Sequence, residues 1–401
     1  MGPEVGPRPL RLGIVAGEAS GDLLGAGLMQ AFVALGVEAQ FVGVGGPAMR
    51  SAGLDTLFDT ERLAMNGFFE PLRRLPELLR LRRQLLGTFA RSGVQGFVGI
   101  DFNGFNLVLE RALKQRGVPV SHYVSPAVYA WRRGRLRGFH RAMDQVLTLY
   151  PFEPPLYRGT GVEAVFVGHP LADSLMPPPS RAAARVAIGI PVGASAVLAL
   201  LPGSRPGEIA RMGRDFLLAA VAWRAEHPDG QVVVAAVDAA ARALLERLAA
   251  GVPAAASFTL VPARSREVLA AADLALVKSG TGTLEAMLLG KPMVVAYRMG
   301  PWTGRIVQRL LRSPFVALPN ILAGEALVPE LLQDAATPAA MAACLFEQPA
   351  RAGILEQRFS DLSATLRQGA SLRAARAVLA LLARKGSIPA GGIERSVNEG
   401  S

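Results

Sequence analysis

The chain has 401 residues, with 43 Lys+Arg against 32 Asp+Glu, one Cys and four His, and 51% of it is hydrophobic. That balance excludes a disordered polyelectrolyte, and one Cys excludes an internal disulfide. Four scattered His with that Cys exclude the usual zinc frameworks, and no apolar run reaches the roughly 18 residues needed to cross a bilayer. No basic-then-apolar leader opens the sequence, so a cytoplasmic protein is expected. Only Lys114, Lys278, Lys291 and Lys385 are lysines, so Arg supplies nearly all of the net +11 charge. Such a bias is what a GC-rich genome writes; any functional Arg must be recognised by position.

In chain order, residues 11–16, 38–44, 95–100, 119–124 and 144–149 read as strands. Helical patterns fall near 22–34, 72–90, 103–115 and 151–158. The strands are continuously apolar, as strands buried on both faces of a parallel sheet are. Leu175-Met176-Pro177-Pro178-Pro179-Ser180 reads as a linker. The alternation then restarts, with strands at 196–201, 231–236, 257–261, 273–277 and 292–297. Helices are expected near 208–225, 238–250, 265–272, 281–289 and 303–313, and residues 338–384 look helical throughout. The predicted architecture is α/β: two Rossmann-like, doubly wound parallel-sheet domains facing across a cleft. Residues 1–175 form the first and 176–349 the second; helices at 350–384 are free to return to the first, and 385–401 form a loose tail.

Ligands of open α/β sheets bind at the carboxyl ends of strands, and unusual residues collect there. Gly17-Glu18-Ala19-Ser20-Gly21-Asp22 follows the first strand; its small residues admit a ligand, or Ser20 or Asp22 simply caps the next helix. It lacks the GxGxxG spacing of a dinucleotide fingerprint. Asp101 follows the strand ending at Ile100, where a partly desolvated carboxylate suits a general base, or an N-cap. His122 starts a strand, as packed core residues do, and five Arg lie between 132 and 141 with no acid among them, a phosphate cluster or a solvated face. In the second half, Leu201-Pro202-Gly203-Ser204-Arg205 leads from strand to helix. There the N–H groups of Gly203 and Ser204, with the Arg205 guanidinium, suit a diphosphate. Lys278-Ser279-Gly280-Thr281-Gly282 repeats the arrangement. Glu285, one turn further on, has the acceptors for a ribose diol, or is a solvent-facing first-turn acid. Leu318-Pro319-Asn320 ends a strand-like run and adds a bidentate amide. No GxxxxGK[ST] occurs, which argues against ATP or GTP hydrolysis, and no carboxylate pair or His cluster accompanies these loops to hold a metal.

Nine stretches taken in order resemble the lipid A disaccharide synthases, glycosyltransferases of GT-B architecture. They are AGEASGDLLGAGL (16–28), FVGVGGPAM (41–49), FVGIDFNGFN (97–106), HYVSPAVYAW (122–131), FVGHPLAD (166–173), LLPGSR (200–205), SGTGTLEAML (279–288), KPMVVAYRM (291–299) and LPNILAG (318–324). The resemblance implies inverting transfer from UDP-2,3-diacylglucosamine to 2,3-diacylglucosamine 1-phosphate (lipid X), giving a β-1′,6 disaccharide and UDP. It implies no cofactor and no metal. Asp101 is then the base on the acceptor 6-hydroxyl. Ser204, Arg205, Ser279, Gly280, Thr281, Glu285 and Asn320 serve the UDP side, and Glu18, Ser20 and Gly21 the sugar and acceptor side. Where the family usually continues with a small residue, Pro and Asp after the counterpart of Asp101, this chain has Phe102, Asn103 and Gly104. Tyr129 stands where Trp is usual.

Residues 67–86 (GFFEPLRRLPELLRLRRQLL) interleave apolar and basic side chains near helical spacing. Phe68, Phe69, Leu72, Arg73, Arg74 and Arg80 suit the surface of an anionic membrane, although an ordinary core-packed helix shows the same periodicity. With acylated substrates, peripheral association with the cytoplasmic face of the inner membrane is the expectation. The rivals are a GT-B UDP-N-acetylglucosamine 2-epimerase, another UDP-sugar transferase, and a basic nucleic-acid binder. The last lacks a recognisable motif and an aromatic stacking platform, so no nucleic-acid partner is expected. Monomer and homodimer both remain open.

Overall fold

The computed structural model describes residues 9–58, 75–126, 133–300 and 314–389. The chain forms two compact units, residues 1–173 with 366–401, and residues 174–365. In the first unit the strands are β1 (Leu10–Ala16), β2 (Ala39–Val44), β3 (Leu54–Thr56), β4 (Gly96–Ile100), β5 (Val120–Tyr123), β6 (Gln145–Thr148) and β7 (Glu163–Phe166). The helices are α1 (Ala19–Ala34), α2 (Pro47–Ser51), α3 (Leu75–Ser92), α4 (Asn103–Lys114) and α5 (Pro170–Ser174). The strands form one parallel sheet in the order β3-β2-β1-β4-β5-β6-β7.

The unbroken apolar character of these strands has a direct cause: side chains from both faces are buried under helices. Ile14, Val98 and Ile100 pack with Leu28, Met29 and Phe32 of α1 on one face. Val15 and Phe97 pack with Leu85, Phe89 and Phe105 of α3 and α4 on the other.

The second unit repeats the scheme. Its strands are β8 (Val197–Leu201), β9 (Gln231–Ala236), β10 (Thr259–Pro262), β11 (Leu274–Lys278), β12 (Met293–Tyr297) and β13 (Glu330–Leu332). They are parallel, in the order β10-β9-β8-β11-β12-β13. Its helices are α6 (Arg181–Ala187), α7 (Pro206–Glu226), α8 (Ala239–Ala250), α9 (Ser265–Ala271), α10 (Thr281–Leu288), α11 (Leu318–Ala323) and α12 (Pro338–Leu366).

Helix α13 (Ala370–Arg384) belongs to the first unit, so the helical segment set apart at 350–384 is divided at Leu366. Its buried face, Ala374, Ala375, Val378, Leu379 and Leu382, joins the core beside α1. The Asp173 carboxylate accepts from the N–H groups of Gln368 (3.1 Å), Gly369 (3.2 Å) and Ala370 (2.6 Å), so it caps α13 from a distance.

Strands β3, β7 and β13 and helices α2, α5 and α6 go beyond the sequence expectation; each has three to seven residues, too few to show a helical period or to stand out as a separate strand. The helix expected at 151–158 is a 3-10 turn at Pro154–Tyr157. The strand-like run before Asn320 is instead followed by helix α11, with Pro in its first turn. The helix expected at 303–313 lies outside the described residues, as do Phe68, Phe69, Leu72, Arg73, Arg74 and Tyr129.

Candidate active site

Each sheet has one place where its strand order reverses, and there the connections diverge and leave a crevice at the carboxyl ends. In the first sheet it lies between β1 and β4; in the second it lies between β8 and β11. The loop residues read from the sequence follow these four strands, except Asn320, which lies on α11 between β12 and β13.

In the first unit, Glu18 and Ser20 are exposed at the start of α1, and Gly21 is buried against Ala16 and Ile100. Neither Ser20 nor Asp22 caps α1, contrary to the alternative reading of that loop. Asp22 is buried and caps α2 instead, accepting from the N–H groups of Gly46 (2.8 Å), Ala48 (2.9 Å) and Met49 (3.0 Å). Asp101 lies on the adjacent strand end, partly exposed, with φ 45°, and Phe102 follows with φ 47°. Two successive non-glycine residues in the left-handed region cost about 1–3 kcal/mol each, a strain that clusters at functional sites.

Two features hold this corner. The Asn106 amide donates to the carbonyls of Val15 (3.2 Å), Ile100 (3.2 Å) and Asp101 (2.9 Å), and Asn103 donates to the Asp101 carboxylate at 3.2 Å. The Phe102 ring covers Gly17, where a Cβ would lie 2.5 Å from the ring. Phe102 therefore requires glycine opposite it. Gly104 has open space around it, and its carbonyl accepts from Arg82 (2.8 Å), whose guanidinium also lies 4.8 Å over the Phe105 ring.

Beneath Asp101, His122 is fully buried with its Nδ1 2.6 Å from Glu110 Oε1. Burial pushes the His122 imidazole down, but Glu110 and, more weakly, Asp101 push it up, and the net shift is upward. Gly99 makes the pair feasible, since a Cβ there would sit 2.0 Å from the Glu110 carboxylate.

In the second unit, Ser204 and Arg205 are exposed between β8 and α7. Gly203 takes φ 133°, a glycine conformation, and a Cβ there would press on Glu208. The Ser204 N–H, expected to face a diphosphate, donates to Glu208 Oε2 at 3.3 Å, and so does the Arg205 N–H at 3.4 Å. Glu208 Oε1 accepts from Lys278 Nζ at 2.9 Å, which ties the β8 loop to the end of β11. Burial opposes ionisation of Glu208, but Lys278 and the two N–H groups hold its carboxyl below the usual range. Lys278 also lies 4.6 Å over the Tyr297 ring.

Gly280 and Thr281 are exposed at the N-terminus of α10. Ser279 Oγ donates to the Val316 carbonyl at 3.0 Å, and Thr283 Oγ1 to that of Gly280 at 2.8 Å. The first-turn N–H groups and the positive end of the helix dipole are thereby presented on a braced loop.

Two expectations change. Glu285 is neither solvent-facing nor free; it accepts from Ser265 Oγ (3.2 Å) and Arg266 Nε (3.4 Å). Asn320 is completely buried, and its amide donates to the Val328 carbonyl and Glu330 Oε1 at 2.9 Å each while accepting from the Val328 N–H at 2.9 Å. Its amide is spent within the unit, and it holds Glu330, which accepts from the N–H groups of Val316 and Ala317. Among the described residues no group of His, Cys, Asp and Glu is arranged to hold a metal ion, and no helix is long and apolar enough to cross a membrane.

A family model described as lipid-A-disaccharide synthetase matches residues 12–379. The chain belongs to the lipid-A-disaccharide synthetase family. Curated lipid-A-disaccharide synthases from Pseudomonas aeruginosa PAO1 and Alkalilimnicola ehrlichii are each 46% identical over 379 and 383 residues, covering 94% of this chain and 99% and 100% of theirs. The fold is shared with a UDP-GlcNAc 2-epimerase from Neisseria meningitidis (TM-score 0.63, 11% identity, 92% of this chain and 99% of that one). It is also shared with the glycotransferase of kitacinnamycin (TM-score 0.59, 17% identity, 94% and 100%). The two units are thus GT-B domains.

Within this synthetase-family chain, the residues that sequence reasoning missed are ones that brace the loops, Asn106, Glu110, Glu208 and Glu330, and the partnership of Lys278 with Glu208 was not read either. A polar residue inside an apolar helical stretch, as Asn106 and Glu110 are in NLVLERAL, was the available signal.

Proposed function

We propose that this protein transfers a diacylglucosaminyl group from its UDP donor to the 6-hydroxyl of 2,3-diacylglucosamine 1-phosphate, with inversion. The observation that carries the reading is a carboxylate, Asp101, held in a strained backbone at the switch point of one sheet, in a chain whose family forms this disaccharide. In this mechanism Asp101 takes the proton of the acceptor hydroxyl as that oxygen attacks the anomeric carbon opposite the leaving diphosphate. Glu18, Ser20 and Gly21 line the same crevice and orient the sugar.

On the donor side, Arg205, Ser204 and the N-terminus of α10 at Gly280 and Thr281 receive the diphosphate, and their positive charge favours departure of UDP. Ser279 shapes that turn. Glu285 takes up a ribose diol by exchanging Ser265 and Arg266, whereas Asn320 acts as a positioning residue.

Incubation with both acylated sugars, followed by mass analysis, tests the reading: a tetraacyl disaccharide 1-phosphate and UDP are expected. UDP release independent of the acceptor would instead favour the epimerase-like or hydrolytic alternative. The acylated substrates support peripheral binding at the cytoplasmic face of the inner membrane through Phe68, Phe69, Leu72, Arg73, Arg74 and Arg80. Of these, Arg80 lies exposed on α3. Changing Phe68, Phe69 and Leu72 to Ser is expected to reduce vesicle binding by the folded protein, and unaltered binding would reject that surface.

A further inference from the structure

Helix α3 carries a second feature, away from the switch point between β1 and β4. A 440 Å³ cavity opens between its C-terminal half and the residues that follow β3. Leu57 and Phe58 form one wall, both packed against the core that holds α3. The opposite wall is α3 itself, through Arg83, Gln84, Thr88 and Arg91 with Gly87 between them. The spacing explains the wall: Arg83, Gly87 and Arg91 recur every four residues, so one glycine stands between two guanidinium groups on one helical stripe.

Gly87 creates the opening. A glycine in a helix interior costs about 1 kcal/mol relative to Ala, so its presence here is not favoured by the helix. A Cβ at this position would lie 3.3 Å from Arg91 Nη1, and a larger side chain would fill the space between the two cations.

Among the described residues the lining of the cavity carries positive charge only. No Asp or Glu is among the described residues lining it, and Arg83 has no hydrogen-bond or ion-pair partner among the described residues. Arg91 is oriented by a neutral group, donating from Nη2 to Thr88 Oγ1 at 3.0 Å. Some surface arginines of this protein are paired with carboxylates, as Arg242 is with Glu246 and Arg264 with Glu267, and others, such as Arg111 and Arg247, are not paired among the described residues; what sets Arg83 and Arg91 apart is that they line one cavity. Two guanidinium forks, an amide donor and a vacant volume between them match a tetrahedral oxyanion, which takes charge-assisted hydrogen bonds from several sides.

We propose that this cavity is a binding site for a phosphate group, held by Arg83 and Arg91 over the notch at Gly87 and separate from the transfer site. The chemistry is that of a phosphomonoester or phosphodiester, and its source is either a lipid headgroup or a soluble phosphate compound.

The test uses the full-length protein, with inorganic phosphate as one probe and vesicles of phosphatidylcholine with or without phosphatidylglycerol as the other. Calorimetric titration with phosphate at low salt is expected to show saturable binding that R83Q/R91Q weakens at least about tenfold. G87L keeps both charges and is expected to weaken binding to the same extent by filling the notch. Far-UV circular dichroism confirms that each variant is folded. Should G87L not fold, T88V takes its place, with a loss of about threefold expected from the freed Arg91.

Phosphate that releases wild-type protein from phosphatidylglycerol vesicles, but not R83Q/R91Q, assigns the site to a headgroup. Phosphate binding with vesicle binding unchanged assigns it to a soluble ligand. Wild-type phosphate affinity in R83Q/R91Q, or in the folded notch variant, overturns the proposal.

Discussion

The loop after β4 in the first unit and the loop after β8 in the second each flank the switch point of their sheet, on opposite sides of it, and different forces hold them. Asp101 and Phe102 sit in the left-handed region, and neutral donors fix them: three carbonyls converge on one Asn106 amide. Around Arg205 the backbone is relaxed except at Gly203, and an ion pair does the bracing through Glu208 and Lys278. The difference follows from what each loop must present. A carboxylate that accepts a proton keeps its basicity best where the group bonded to it is neutral, as Asn103 is, because a cation bonded to it would lower that basicity. A loop that receives a diphosphate can carry an internal carboxylate, provided cations outnumber it there; Arg205, Lys278 and the α10 N-terminus do so against Glu208.

Removing the carboxylate breaks this comparison most sharply. D101N is expected to lower kcat by about 10³-fold while UDP affinity stays at the wild-type level, measured by product formation and by UDP titration. Substantial residual turnover would remove Asp101 as the base. R205A is expected to act on the other half, costing about 10–100-fold in kcat/KM for the donor. A wild-type value there would detach the β8 loop from the diphosphate.

Where such effects fall was legible because catalytic loops follow strands, and strands buried on both faces announce themselves as apolar runs. The positions of the long strands along the chain, the two doubly wound domains and the loops that follow strands were all accessible in this way. What holds the loops was not. Asn320 looks, in sequence, like a group waiting for a ligand, but in the fold its amide is taken up by Val328 and Glu330, and Glu285 has Ser265 and Arg266 as partners that its spacing does not announce. Sequence spacing reports that a polar group stands near a strand end; it does not report which distant residue has already claimed it. Asp173 shows the same limit, since its capping of α13 joins residues nearly 200 positions apart. The return of the chain to the first unit depends on that contact and on the buried face of α13, neither visible before folding.

The ion-pair brace gives a smaller and more selective effect. E208Q keeps an oxygen for the two backbone N–H groups but loses the charge that holds Lys278. An increase of about tenfold in the donor KM, with kcat changed less, is expected of a loop that has lost its bracing but not its cation. An unchanged donor KM would mean that backbone geometry alone sets the loop, as it does around Asp101.

pH separates the two units by sign. In the first unit, burial raises the Glu153 carboxyl from 4.5 to about 8, although the N–H groups of Leu149 and Tyr150 donate to it. The folded unit therefore holds a proton that the unfolded chain releases above 4.5. This contribution to stability is complete below that pH and is lost as pH rises towards about 8. His122, whose folded value is also raised, adds a loss in the same direction above 6.5. The second unit carries the opposite case. Burial lowers Lys291 from 10.5 to about 8, where its ammonium donates to the carbonyls of Ala270 and Ala272. The unfolded chain then binds the extra proton, so stability rises with pH above about 8 until the unfolded Lys titrates. Hydrogen exchange corrected for intrinsic rates, followed in peptides from each unit, is expected to show the first losing about 1 kcal/mol per pH unit between pH 6 and 7.5. The second is expected to hold steady there and to gain above pH 8. E153Q should flatten most of the slope in the first unit and leave the second untouched. A slope that survives in E153Q would shift the cause to the His122–Glu110 pair, and equal slopes in both units would remove the distinction between their cores.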